Sequence, residues 1–366
     1  MNNIVVFILF TIPILMIGCG SLFLWKEKKD LELLSIILIS LGLAIIAMYT
    51  LPNSSDDLQR HFDVMNSYNN HPLSVIFLSG YSYVILNNFI MYIIAQTGIL
   101  SLYQGIFTFL GYFILLKLVI SIYHDLEIKN RKILFIVLLF TFFMSFYKTY
   151  ILAIRNYFCF IAGSYCWYLY SKNRIRIFTY VILVFLLALI HPVSLILLIL
   201  LLFQKIKKKY IKNIFMLGII FHYPILKLIL NFLPQDLVIY AKINPYLSGT
   251  IQPYNLNFMF FYLLLALFAA IVIYKINKEK LASTMSLSVM LILAVSTFYQ
   301  FDLIRRFMYI VPLFLIEPLF ILLNNNMIFL KIKVKYLTAC YMGLLSLAAI
   351  LAIFANIRAY GWYWIF

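Results

Sequence analysis

Long apolar runs separated by short polar segments dominate the chain. A helix needs about 20 apolar residues to cross about 30 Å of hydrocarbon. The pattern predicts ten membrane-spanning helices, near residues 4–25, 32–51, 99–123, 133–147, 153–171, 211–232, 257–275, 282–299, 303–323 and 336–357. We therefore expect an all-α polytopic integral membrane protein with a single transmembrane domain over 1–366.

Two further apolar stretches do not fit complete crossings. Stretch 72–98 carries serine, glycine, asparagine and glutamine, and predicts a re-entrant or surface-lying helix on the outer side. Stretch 177–203 is divided by His191-Pro192 into apolar runs of 14 and 11 residues. These runs measure about 21 and 16 Å, too short to cross. Since proline breaks helices, the second stretch predicts a broken hairpin that carries His191 at mid-membrane or outer depth.

Composition supports this fold class. The chain is 65% hydrophobic and 11% charged, against about 45–50% and 25% in soluble domains. These values exclude a cytosolic enzyme, a DNA-binding domain and a secreted disulfide scaffold. The four cysteines, Cys19, Cys159, Cys166 and Cys340, lie in apolar runs without paired spacing, which is typical of small apolar residues.

The net charge is +17, and the distribution of the positive residues along the chain predicts the membrane topology. Lysine-containing clusters lie between the apolar runs, at 26–29, 129–132, 172, 205–212, 275–280 and 331–335. The positive-inside rule places these clusters in the cytoplasm. Both termini are then predicted to lie outside, with an uncleaved first span. Arginine behaves differently, because five of the eight fall at the predicted outer face: Arg60, Arg155, Arg305, Arg306 and Arg358.

The first outer loop concentrates ionisable residues. If it is helical, Asp57, Arg60 and His61 share one face at positions i, i+3 and i+4. An acid, a guanidinium and an imidazole at a membrane surface could handle a phosphate and a hydroxyl proton. The alternative is a solvated loop with ion pairs worth less than about 1 kcal/mol.

Three other segments contain candidates for the same site. Arg155-Asn156 at the outer end of a span favours a bidentate anion partner over an interfacial snorkel. His191 sits at a helix break, although isolated histidines are usually core residues. Arg305 and Arg306 are suited to diphosphate recognition unless Asp302 pairs with them. No metal site is predicted, because no second ligand lies near His191 at ligand spacing.

The ordered motifs SDDLQRHF, IRNYF, LIHPVSL and LIRRFMYI, between about residues 50 and 320, resemble those of the EpsG/Wzy-type bacterial polysaccharide polymerases. Asn156 stands where glutamine more often follows the arginine. The resemblance implies a GT-C-like fold in the bacterial cytoplasmic (inner) membrane, with a multi-pass chain and an outward-facing site to which loops 52–98 and 233–256 contribute. The implied glycosyltransferase polymerises undecaprenyl diphosphate-linked repeat units into O-antigen, capsule or exopolysaccharide.

The resemblance also implies residue roles. Arg155, Arg305 and Arg306 would stabilise the departing diphosphate. Asp57 or His191 would accept the hydroxyl proton, and Arg60 and His61 would orient or bind the second lipid-linked partner. It implies no cofactor, no metal and no nucleic acid. Implied partners are the lipid-linked oligosaccharides, membrane lipid, and a chain-length regulator and flippase. The alternatives are an O-antigen ligase or other lipid-linked glycosyltransferase, a membrane acyltransferase, and a lipid-linked oligosaccharide flippase or other transporter.

Overall fold

The computed structural model describes most of the chain, in segments separated by gaps. The described residues are 7–24, 29–50, 52, 57–78, 84–145, 153–232, 234, 244, 256–276, 282–298, 301–324, 328–329 and 332–360. Almost all of the predicted outer loop 233–256 lies outside them. They form two compact units: Met1–Arg131, Ser145–Leu197 and Tyr360–Phe366 in the first, Lys132–Met144 and Leu198–Ala359 in the second. The expectation of a single domain over 1–366 stays a prediction.

Secondary structure in the described segments is almost entirely helical. After a π-helical stretch at Phe7–Thr11, the helices are α1 (Ile12–Leu24), α2 (Lys29–Met48), α3 (Asp57–Tyr68), α4 (Val75–Leu78), α5 (Ile85–Thr97), α6 (Leu102–Asp125), α7 (Arg131–Met144), α8 (Ile154–Ser171) and α9 (Ile177–Ala188). A 3₁₀ helix, Pro192–Leu197, precedes α10 (Leu198–Lys205), α11 (Lys209–Ile220), α12 (His222–Phe232), α13 (Leu256–Ile276), α14 (Ala282–Ser296), α15 (Phe301–Met308) and α16 (Val311–Asn324). Two-residue antiparallel strands, β1 (Ile328–Phe329) and β2 (Ile332–Lys333), lead into α17 (Val334–Tyr360).

In the first unit, α6 packs against both α2 and α8. A Cβ on Gly105 would lie 2.7 Å from Met48 Cγ, so only glycine lets α6 approach the end of α2 this closely. The adjacent Gln104 donates its side-chain amide to the carbonyls of Ala47 and Thr50. Carbonyls at the C-terminal end of a helix lack intrahelical partners; here Gln104 supplies a donor to Thr50 and a second donor to Ala47, which also accepts from the Thr50 N–H at 2.9 Å.

The broken hairpin predicted for 177–203 is confirmed over residues 177–197. α9 ends at Ala188, and the 3₁₀ helix folds back along it. Tyr180 Oη donates to the Leu197 carbonyl at 2.9 Å, and Ser194 Oγ donates to the Val184 carbonyl at 3.2 Å. The hairpin packs on α8, where Gly163 leaves space for the side chain of Leu197.

In the second unit, α14 occupies the centre. It packs against α11, α13, α15 and α16, and its Leu287, Val289, Met290 and Ala294 are completely buried. Proline explains why two predicted spans here are interrupted. α11 ends four residues before Pro224, and α15 ends four residues before Pro312.

The same spacing recurs in the first unit, where α3 ends four residues before Pro72 and α9 ends four residues before Pro192. Proline has no N–H to donate to the carbonyl four residues earlier, and its ring collides with that carbonyl. Pro318 is an exception, because it lies inside α16.

The structure contains helices that are long and apolar enough to cross a membrane. They support the prediction of a helical membrane protein. Among the described residues, four segments are long and apolar enough to cross: Asp30–Met48, Leu102–Asp125, Met259–Ile276 and Arg306–Asn324. The last of these contains the break between α15 and α16. A fifth would be α11 with α12, which meet at a bend of 68°. The structure thus supports four or five of the ten predicted spans.

α17, over the predicted span 336–357, is 27 residues long, and the remaining predicted spans contain helices that are shorter or more polar. α8 is 18 residues long but carries Arg155 and Asn156 in its first turn. Stretch 72–98 contains only α4 and α5 in its described part, and α5 has 13 residues, about 20 Å. That length agrees with the prediction that this stretch does not cross as one helix.

Candidate functional site

α3 brings together three of the predicted site residues. Asp57 is its first residue, where a carboxylate is favoured by the helix dipole. The Arg60 guanidinium lies 2.9 Å from Asp57 Oδ1, and His61 Nε2 lies 3.5 Å from Asp57 Oδ2. The predicted shared face of Asp57, Arg60 and His61 is confirmed.

Arg155 reaches the same carboxylate from α8. Its Nη2 lies 3.5 Å from Asp57 Oδ2, and the residue is only 5% exposed. Arg60 by contrast is exposed. The Asp57 carboxylate therefore lies between one buried and one exposed guanidinium, which together carry one more positive charge than it neutralises.

These neighbours determine the protonation of Asp57. Partial burial acts to raise its pKa, but the contact with His61 and the charges of Arg155 and Arg60 outweigh burial. The pKa of Asp57 consequently lies far below its ordinary value. The group is a stable carboxylate throughout the physiological pH range.

His61 lies beneath the carboxylate, with 2% of its surface exposed. Burial is the main cause that lowers the pKa of His61; the charges of Arg155 and Arg60 add to it, while Asp57 opposes it. The His61 ring packs against Tyr103 at a centroid distance of 5.5 Å. A neutral His61 ring therefore lies beside the Asp57 carboxylate.

Two residues of this network were missed as site candidates. Tyr103 on α6 donates to Asn87 Oδ1 on α5 at 2.7 Å, and both are completely buried. In the sequence, Asn87 is one of several polar residues in stretch 72–98, and nothing distinguishes Tyr103 from the many other tyrosines in apolar runs. The one signal in the sequence for this network is the amide of Asn87 within an apolar helix.

Asn87 also connects α5 to the hairpin that carries His191. Its backbone N–H donates to the Leu189 carbonyl at 3.2 Å. On the other side of the hairpin, Cys159 Sγ, one helical turn after Arg155 on α8, lies 3.4 Å from the Leu187 carbonyl. The break before Pro192 is thus attached to both α5 and α8.

The His191 ring is half-buried at this break. Its Nδ1 accepts a hydrogen bond from the Val193 N–H at 3.2 Å. A neutral imidazole that accepts at Nδ1 carries its proton on Nε2. His191 can therefore donate a hydrogen bond through Nε2.

The remaining predicted site residues lie in the second unit. Arg306 is half-buried on α15, and the side chains of Arg305 and Asp302 lie outside the described part of the structure. Their assignment to the site stays a prediction.

Within the described segments, no group of three histidine, cysteine, aspartate or glutamate residues is arranged to hold a metal ion. The four cysteines are free thiols. The cluster in the first unit consists of two guanidiniums, one carboxylate and one imidazole. The guanidiniums are suited to binding an oxyanion, and the carboxylate holds them in position.

Comparison with known proteins identifies no relative. No protein-family model, no curated protein and no solved structure matches the chain.

Proposed function

We propose that the chain is a polysaccharide polymerase that acts on undecaprenyl diphosphate-linked oligosaccharides at the outer face of the bacterial cytoplasmic membrane. The proposal includes the predicted topology of ten spans, the GT-C-like architecture and the resemblance to the EpsG/Wzy-type family. One observation carries it: a buried and an exposed guanidinium share one carboxylate beside the predicted outer surface.

The reaction joins two lipid-linked glycans. A hydroxyl oxygen of the acceptor repeat unit forms a bond to the anomeric carbon of the donor glycan. The bond from that carbon to the lipid diphosphate breaks, and the diphosphate departs with the bonding electron pair. Its negative charge grows as the bond breaks, so preorganised cations stabilise the transition state more than the ground state.

Arg155 and Arg60 are the residues that supply this stabilisation in the first unit. Asp57 holds both guanidiniums in place but neutralises only one of their two charges. The resemblance implies the same role for Arg305 and Arg306. His191 donates its Nε2–H to a phosphate oxygen in this scheme.

The proton of the acceptor hydroxyl must be transferred to a base. The low pKa of Asp57 makes it a poor base for an intact hydroxyl at neutral pH. Glycosyl transfer proceeds through an oxocarbenium-like transition state. The attacking oxygen therefore becomes strongly acidic once its bond to carbon has formed, and the Asp57 carboxylate can then accept the proton.

Gene deletion and complementation test the proposal. The surface glycan of the deleted strain is separated on a gel after complementation with wild type, Arg155→Ala or Arg174→Ala. Arg174 is the matched control, because it pairs with Asp125 away from the Asp57 cluster. We expect Arg155→Ala to leave a single repeat unit, as the deletion does, and Arg174→Ala to restore the ladder.

Other outcomes would identify other functions. A ladder of normal length that lacks only an acyl group indicates an acyltransferase. Polymer that accumulates on its prenyl carrier indicates a ligase. Loss of every outward-facing repeat unit indicates a flippase. Each of these results overturns the polymerase proposal.

A further inference from the structure

A long uncharged segment follows the Asp57 cluster. Between Asp63 and Lys117 the chain contains no aspartate, glutamate, lysine or arginine. This segment nevertheless exposes polar side chains. Five exposed residues and one half-buried tyrosine form what we call the amide surface: Asn66, Asn69, Asn70, His71, Tyr92 and Gln96.

The amide surface is held in a fixed shape by α5. Tyr92 Oη donates to the His71 carbonyl at 3.0 Å, and Gln96 Nε2 donates to the Tyr68 carbonyl at 2.9 Å. Asn70 adopts the left-handed conformation, with φ of 59°, just after the end of α3. Asparagine is one of the few residues that tolerate this conformation, so the turn after α3 is well defined.

The asparagine amides are available for a ligand. The side chains of Asn66, Asn69 and Asn70 make no hydrogen bond to any residue in the described part of the chain. Each amide offers two donors and an acceptor. A sugar hydroxyl is also both donor and acceptor, so neighbouring amides match neighbouring hydroxyls on a ring, and Tyr92 adds an apolar ring face.

We propose that the amide surface binds uncharged sugar residues of the glycan. This inference rests on the proposed function and gives the glycan a second point of attachment. α3 has 12 residues, so its two ends are about 17 Å apart. The amide surface would therefore hold sugars several positions away from the bond that is being formed at Asp57.

The absence of charge favours a glycan over other ligands. Binding of lipid phosphate depends on lysine or arginine, and the segment from Val64 to Leu116 has neither. A neutral glycan requires no counter-charge. A binding surface that retains the polymer between additions would favour long products.

A direct binding measurement tests the proposal. The probe is the host's own surface polysaccharide, cut by mild acid into oligosaccharides and purified free of lipid and phosphate. Its dissociation constant is measured by saturation-transfer NMR with the full-length protein in nanodiscs. The test variant is Asn66→Ala/Asn69→Ala/Asn70→Gly, in which glycine retains the left-handed turn. Thr179→Ala, an exposed substitution on α9, is the control.

Each hydrogen bond contributes about three- to tenfold to affinity. We therefore expect the triple variant to bind at least about tenfold more weakly than wild type, while Thr179→Ala binds as wild type does. Equal affinity of the triple variant and wild type, or no binding by wild type, would overturn the proposal.

The glycan ladder separates this proposal from the polymerase itself. We expect the triple variant to make shorter chains but still form the first linkages, whereas Arg155→Ala forms none. If Arg155→Ala makes a normal ladder, the polymerase proposal fails, and the binding measurement still decides whether the surface recognises glycan. If the ladder of the triple variant keeps its wild-type length, retention of the polymer by this surface is excluded.

Discussion

Arg155 Nη2 lies 3.5 Å from Asp57 Oδ2, although 98 positions separate the two residues in sequence. The contact joins the first residue of α3 to the first turn of α8. It also gives a buried cation the counter-charge that its burial requires. The same pair thus contributes to stability and forms the centre of the proposed anion site.

Asp57→Asn is expected to destabilise the protein. The substitution removes the counter-charge of buried Arg155 while keeping the size of the side chain. We expect a loss of about 1–3 kcal/mol, the usual range when a hydrogen-bonded charged partner is removed. Unfolding of the purified protein in detergent measures it. Asp63→Asn, on the exposed side of α3 where Asp63 accepts from Gln59, should change stability much less; equal losses would show that the Arg155 contact contributes nothing.

The lowered pKa of His61 predicts a pH dependence. Its folded pKa lies below the ordinary value of 6.5, so the unfolded chain binds more protons between the two values. Stability should therefore be complete above about pH 6.5 and fall as the pH decreases through the folded pKa, by at most about 1.4 kcal/mol per pH unit. His61→Gln should reduce this slope between pH 7 and 5. An unchanged slope would show that His61 does not cause the pH dependence.

Gly163→Ala is expected to displace the hairpin. A Cβ on Gly163 would lie 2.0 Å from Leu197 Cδ1, and Leu197 is completely buried. Overpacking of this kind costs about 1–3 kcal/mol. The double variant Gly163→Ala/Leu197→Ala should be more stable than the sum of the single changes predicts. Gly218→Ala, whose Cβ would meet no atom within 4 Å, is the control, and additive losses in the double variant would contradict the close packing.

Gln104→Leu is expected to leave the Thr50 carbonyl, just after the end of α2, without its side-chain donor, whereas the Ala47 carbonyl still accepts from the Thr50 N–H. Gln104 donates to Ala47 and Thr50 from a buried position. Each buried carbonyl left without a donor costs about 1–3 kcal/mol. Thermal unfolding compared with Ile106→Val, an exposed apolar change on the same helix, measures the loss. If Gln104→Leu is as stable as wild type, water satisfies the Thr50 carbonyl and the glutamine does not cap the helix.

The sequence permitted prediction of features that depend on local spacing. The shared face of Asp57, Arg60 and His61 follows from helical periodicity, and the break before Pro192 follows from the missing proline N–H. Arg155 was a candidate because arginine is costly in an apolar segment. In each case the residues that carry the pattern lie within a few positions of the structural feature that it predicts.

Features that depend on tertiary packing could not be predicted in this way. The contacts of Asp57 with Arg155 and of Asn87 with Leu189 join distant parts of the chain. The placement of Tyr103 under His61 depends on how α3 and α6 pack. The helix breaks before Pro224 and Pro312 could have been predicted from the prolines, yet the unbroken apolar runs around them favoured continuous spans.

The amide of Gln104 has a consequence for biosynthesis. The end of α2 is capped by a residue 54 positions after Thr50. A ribosome that has just delivered α2 to the membrane has not yet made its cap. α3, whose His61 packs against Tyr103 of α6, can likewise complete its contacts only after α6 has been made. A nascent chain arrested before α6 would also lack Arg155, so the Asp57 cluster would assemble only when translation resumed.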